Sequence, residues 1–284
     1  MDASRKAGRA AMLVLAAAGA LAGCPPRSPQ LPPPDVTVLD ADAGSAEEGS
    51  PAVPDAGIGG VDAVPPEEAE AAWHEPSAER EPATEAARKI VETLESIESG
   101  LTATRYQHRT VVRERSGVYY WDCAGMVAWV LERAAPKARA ALSEGRPPAR
   151  EFYDRIAESP TDEPHRGWLR LASPEDVAPG DLFAWRKPDF WPDRPNTGHV
   201  GFIVGTPQPH PEFESVWVVR VADATEYRHE ADSRRSGGEG GFGTGTMAFW
   251  FDDSGTPTAY GWYGASQPPD TFVPTLIAFG RVSR

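Results

Sequence analysis

The spacing of apolar residues changes once along this chain, and that change limits the folds open to it. Ile90, Leu94, Ile97 and Leu101 recur at helical spacing, and Pro82 and Gly100 punctuate the ends of a predicted helix. Met126, Val127, Val130, Leu131 and Ala134 share one helical face behind Asp122, a predicted N-cap, and Pro136 stops or kinks that helix. Phe152 and Ile156 mark a short helix over 149–158. From Ser173 onward the period becomes two. Pro179-Gly180-Asp181 is a turn feeding a strand from Leu182 to Trp185, and further strands are expected at Gly198–Gly205, Ser215–Ala222 and Thr275–Val282. Residues 246–251 and 258–263 are set to pair as a hairpin across Asp253-Ser254-Gly255, and Gly237 to Gly245 reads as a loop. Helices first and strands afterwards predict an α+β fold, with N-terminal helices packed on an antiparallel β-sheet.

The residues before this pattern cannot join its core. Residues 25–100 hold 17 acidic and 4 basic side chains, whereas residues 101–284 hold 24 and 21, so the net charge of −14 belongs mostly to an N-terminal extension. With no basic face to displace counterions from phosphates, no nucleic-acid partner is expected. Arg5, Lys6 and Arg9 form a basic segment, and Ala10 to Ala22 an apolar one too short to span a bilayer comfortably. The segment ends in Leu21-Ala22-Gly23-Cys24, which resembles the lipobox of bacterial lipoproteins. That resemblance implies a signal peptide over 1–23, cleavage before Cys24 and lipid on its thiol, so that the membrane becomes a partner through the anchor. Pro25, in place of aspartate, implies the outer membrane, periplasmic side, if the cell is Gram-negative. Residues 24–82, rich in Pro, Ala and acidic side chains, read as a disordered tether with a reach of about 40 Å. The folded domain is expected over 83–284, as a monomer.

Within it, three motifs carry chemistry in a fixed order: Asp122-Cys123-Ala124-Gly125, Pro179-Gly180-Asp181-Leu182, and His199-Val200-Gly201-Phe202-Ile203-Val204-Gly205. A thiol at a helix start faces unsatisfied N–H groups and the positive end of the helix dipole, which favour thiolate. A histidine on a strand can take the thiol proton and later return it to a leaving amine, while a third polar group fixes its tautomer. Cys123 is then the nucleophile, His199 the general base and acid, and the backbone N–H of Cys123 an oxyanion donor. Asp223, following the run Val216 to Ala222, is the candidate orienting residue, with His229 as its competitor; His165 and His210 sit in proline-rich surroundings and read as surface residues. Gly201 leaves space beside the imidazole. Asp122 beside a thiolate would oppose ionisation unless backbone N–H groups engage it, and Asp181 is expected to serve its turn.

The ordered motifs resemble the NlpC/P60 family of papain-like thiol hydrolases over roughly residues 85–284. The resemblance implies a papain-like fold, a Cys123–His199–Asp223 triad, and cleavage of amide bonds in peptidoglycan stem peptides as an endopeptidase or amidase. It also suggests Tyr106 as a substrate contact, a role for which Tyr119, Tyr120 and Trp121 compete, with Trp121 the second candidate. Alanine at 124 stands where the family usually has serine, and the Gly-rich segment and last strands extend past its minimal core. Other classes stay open: an inactive envelope binding or scaffold lipoprotein, or a thiol acyltransferase or lipid hydrolase on the same fold. The insertion Arg186 to Thr197, with Phe190 and Trp191, either shapes a cleft or packs onto the domain. No zinc-ligand spacing and no phosphate-cradling motif are visible, so no metal and no cofactor are expected.

Overall fold

The structure, a computed structural model, describes residues 80–191 and 196–283. The signal segment, Cys24 and the tether as far as residue 79 lie outside the described residues. The chain folds as mixed α+β, with many strands and few helices. Among the described residues, no helix is long and apolar enough to cross a membrane.

Helix α1 (Glu85–Gly100) begins behind Thr84, whose Oγ1 accepts the Ala87 N–H at 3.0 Å, and it buries Ala86, Ala87, Ile90, Leu94 and Ile97. The helix therefore starts three residues past Pro82, and Leu101 falls just beyond it. Strands β1 (Ala103–Tyr106), β2 (Val111–Arg113) and β3 (Val118–Trp121) follow as a small sheet with β3 in the middle, parallel to β1 and antiparallel to β2. These strands were not anticipated, because they are short and lack clean alternation. Helix α2 (Cys123–Ala134) is capped by Asp122, whose Oδ1 accepts the Gly125 N–H at 2.8 Å, an arrangement worth about 1 kcal/mol. Pro136 then occupies the first turn of a separate short helix, α3 (Pro136–Arg139), where its missing N–H costs nothing. Helix α4 (Ala149–Ala157) buries Phe152 and Ile156 as their spacing predicts.

The remaining strands are β4 (Trp168–Leu171), β5 (Leu182–Arg186), β6 (Gly198–Ile203), β7 (Gln208–Pro209), β8 (Val216–Thr225), β9 (Gly241–Phe251), β10 (Pro257–Gly261), β11 (Val273–Pro274) and β12 (Ile277–Val282). They form one antiparallel sheet in the order β11-β10-β9-β8-β6-β5-β12-β4, with β7 against β8. Alternation along each strand feeds two apolar clusters. Leu182, Ala184, Val200, Phe202, Ala222, Ala224 and Phe242 pack with α1, α2 and α4. Phe183, Trp185, Ile203, Val219, Val221, Met247 and Phe249 join a second cluster on the opposite face. Both faces being buried explains why Leu182-Phe183-Ala184-Trp185 is a continuous apolar run.

The Pro-Gly-Asp motif proves to be a structural corner. Gly180 has φ +87°, and a Cβ there would meet the Ala87 carbonyl oxygen at 2.4 Å, so only glycine lets the turn lie against α1. Asp181 is buried, accepts the Ala178 N–H at 2.8 Å, and takes Arg281 Nε at 2.9 Å and its terminal nitrogen at 2.8 Å.

The Gly-rich segment corrects the loop expectation. Residues 241–245 belong to β9 and pair with Val221 to Thr225 of β8. Their alternate glycines clear one face of the strand. A Cβ at Gly243 would strike Arg234 Cγ at 2.5 Å, and one at Gly245 would strike His229 Cβ at 2.7 Å.

Candidate active site

Asp223 is the centre of the site, and it sits inside β8 rather than after it. Its Oδ2 accepts from His199 Nε2 at 2.6 Å and from His229 Nε2 at 2.9 Å, while Oδ1 is paired with the Arg234 guanidinium. His229, the competitor of Asp223 in the sequence reading, thus meets His199 on the same Asp223 oxygen. Arg234 also donates to the carbonyls of Asp223 (2.8 Å) and Gly241 (2.9 Å), and to Asp232 Oδ2 at 2.6 Å. Asp232 accepts the backbone N–H groups of His229 (2.7 Å) and Arg234 (2.6 Å), which folds the loop after β8 back over Asp223. Burial alone would push the Asp223 carboxyl up. The charges of His229 and Arg234, with hydrogen bonds from His199 and His229, overcome it and hold the group well below the usual carboxylate range.

His199 is 8 % exposed and lies among Trp185, Trp262 and Phe183, with ring centroids 4.9, 5.7 and 5.9 Å away. The space expected beside Gly201 is taken by Phe183, whose Cζ would be 2.6 Å from a Cβ at that position. A carboxylate only accepts, so His199 Nε2 carries the hydrogen in this bond.

Cys123 opens α2 and belongs to the cluster on the other face of the sheet from His199. The β6–β8 ladder pairs only Phe202 with Ala222 and Ile203 with Val221. Toward Gly198, the His199–Asp223 hydrogen bond spans the two strands instead, and the tip of α2 comes up to this place. The backbone N–H of Val200, the residue after His199, favours the ionised thiol, and the Asp223 charge opposes it. Among the described residues no hydrogen bond joins that sulfur to the His199 ring.

The thiol is not ionised at rest, contrary to the sequence expectation. Burial pushes it up to about 12, and the Asp223 charge adds to the rise. The N–H groups of Val200, Ala124 and Cys123 favour thiolate, as a helix start should, but burial outweighs them. The sign of the stability effect follows. An unfolded thiol ionises near pH 9 while the folded one holds its proton, so the domain loses stability as pH rises above about 9. The slope approaches about 1.4 kcal/mol per pH unit from this group. Urea titrations from pH 8 to 11 should show this slope in the natural chain and lack it in Cys123→Ser.

Asp122 is neutralised more fully than expected. Besides the Gly125 N–H it takes Arg146 Nε at 3.1 Å on Oδ1, pairs with the Arg146 terminal nitrogen on Oδ2, and accepts His108 Nδ1 at 3.0 Å. Burial and the Arg146 charge push His108 down. Sequence reasoning missed Arg146 and His108; each lies in a stretch with no motif of its own.

The two candidate substrate contacts separate. Tyr106 ends β1 half-buried, 6.2 Å ring to ring from His108, within electrostatic reach of Arg146. Trp121 has no exposed surface and packs with Tyr119 and Trp129 at 5.1 and 5.6 Å, so its place is in the core. His210 is likewise buried rather than superficial, its Nε2 3.1 Å from the Ala265 carbonyl, whereas His165 is exposed. In the insertion after β5, Phe190 is 64 % exposed and Trp191 packs against the second cluster. Cavities of about 570 and 150 Å³ are lined from α1 and its neighbours, and neither contains Cys123, His199 or Asp223. Among the described residues no group of His, Cys, Asp and Glu is placed to hold a metal ion. Comparisons of the chain with protein-family models, curated proteins and solved structures find no match.

Proposed function

We propose that this chain is a lipid-anchored, papain-like thiol hydrolase of NlpC/P60 type that cuts amide bonds, with peptidoglycan stem peptides as substrate. The observation that carries the reading is the 2.6 Å bond from His199 Nε2 to a buried Asp223, whose charge also reaches the thiol of a helix-tip cysteine. With Nε2 committed to Asp223, the Nδ1 lone pair of His199 is the base. The thiol and this ring share no hydrogen bond at rest, so the reading requires Sγ and Nδ1 to meet where β6 and β8 part. As Sγ attacks the carbonyl carbon, its proton then passes to Nδ1, and the oxyanion is received by the Cys123 N–H. The C–N bond then breaks with delivery of that proton to the amine, and water opens the thioester to the acid and free thiol.

A second reading has its own support. Cys123 is 5 % exposed, and the cavities lie elsewhere, which suits an envelope scaffold on a retired hydrolase fold. Digestion of purified peptidoglycan, followed by mass analysis of the muropeptides, separates the two. The hydrolase releases stem fragments with a new amine and carboxylate, and Cys123→Ser releases none. Unchanged muropeptides with the natural chain favour the scaffold. Cleavage of acyl esters in place of muropeptides points to acyl chemistry.

A further inference from the structure

Behind the candidate triad, His229 has both ring nitrogens committed. Nε2 faces Asp223 Oδ2 at 2.9 Å and Nδ1 faces the backbone carbonyl of Trp262 at 3.2 Å. A backbone carbonyl can only accept, and so can an ionised carboxylate, so each nitrogen must supply a hydrogen. A neutral imidazole has only one. Charge balance points the same way. Asp223, Asp232, Arg234 and His229 have side chains at most 3 % exposed, and without a charge on His229 two carboxylates would face a single guanidinium.

We propose that His229 is a buried positioning residue that donates from both ring nitrogens, shares Asp223 with His199, and thereby sets the pH at which Cys123 becomes reactive. When His199 takes the thiol proton, a second positive ring forms on the same carboxylate oxygen. The cation on His229 shares that oxygen and offsets the Asp223 charge that raises the thiol, so Cys123 releases its proton at lower pH than it would beside Asp223 and His199 alone. The other groups around His229 leave this effect in place. Asp232 and Arg234, from its own loop, pair with each other, and the Glu230 carboxylate turns away to accept the Ala265 N–H at 2.6 Å. Arg228 donates to the Asp232 carbonyl at 3.2 Å. Strand β9 offers only Gly245 at this point, and the segment after β10 offers the Trp262 ring at 4.3 Å and its carbonyl. The pH effect rests on the thiol-hydrolase reading; the charge on His229 does not.

Nitrogen-15 NMR of the histidine rings in the full chain at pH 7 tests the charge directly, with His229 assigned through its ring-to-Cβ correlation. His229 should show two protonated nitrogens, and His199 one protonated and one bare. A bare nitrogen on His229 at pH 7 overturns the proposal. Alkylation of Cys123 by iodoacetamide across pH 5 to 10 tests the tuning. His229→Gln, which keeps an N–H donor but removes the charge, should raise the pH midpoint by about one unit, or slow alkylation about tenfold below the midpoint. An unmoved midpoint in a folded His229→Gln variant overturns the tuning. Should that variant fail to fold, the spectrum of the unsubstituted chain still decides the charge. A chain that keeps the two-proton signature on His229 yet leaves muropeptides intact overturns the hydrolase and supports the buried cation.

Discussion

Asp223→Ala is expected to cost the domain about 3–5 kcal/mol, the range for removing one partner of a buried ion network. The substitution leaves the Arg234 guanidinium and the His229 ring buried without the anion they share, and takes the acceptor from His199 Nε2. Arg234 would keep Asp232 and two carbonyls, which limits the loss but does not cancel it. A fall of several kcal/mol in urea unfolding at pH 7 is the predicted outcome, and a fall below about 1 kcal/mol would contradict the network as described. The acid side offers a second check. Because the folded carboxyl ionises well below its ordinary value, the unfolded chain takes up this proton first as pH drops. The stabilisation is complete above about pH 4 and drains away as pH falls below it. Asp223→Asn should lack that component.

The other large effect is on catalysis. His199→Ala removes the base that takes the Cys123 proton, and with the thiol held protonated by burial no ionised fraction remains to substitute for it. Amide cleavage should fall by about a thousandfold or more, in line with the loss of a general base acting as a unit with its nucleophile. The fold should survive, because a cavity beside Trp185 and Phe183 costs less than a stranded charge. Muropeptide release rates over a protein-concentration series measure the ratio, and a loss under tenfold would remove His199 from the mechanism.

Much of this arrangement was legible in the sequence where local chemistry dictates structure. Ile90, Leu94 and Ile97 mark the buried stripe of α1, Asp122 caps α2, and Asp253-Ser254-Gly255 turns the hairpin between β9 and β10. The pairing of His199 with Asp223 is what the family resemblance implies, with His229 left as the competitor for that place. What escaped was set by contacts distant in sequence. Arg234 and His229 come from a polar loop, and their burial depends on glycines at 243 and 245 that look like loop residues until β8 pairs with β9. The alternation of those glycines was the available signal, since every second position without a side chain makes one strand face a receptacle. The thiol misled for a related reason. The helix-start amides act in the expected direction, but the depth of Cys123 under the sheet depends on packing that no local pattern encodes.

The central claim is that an imidazole oriented by Asp223 activates the thiol of Cys123. The most direct measurement is the rate of Cys123 alkylation against pH, in the natural chain and in His199→Ala. A reactive limb near neutral pH that vanishes in His199→Ala, leaving only slow alkylation rising toward pH 12, is the predicted result. Identical profiles in the two chains would contradict it and leave Cys123 as a core residue.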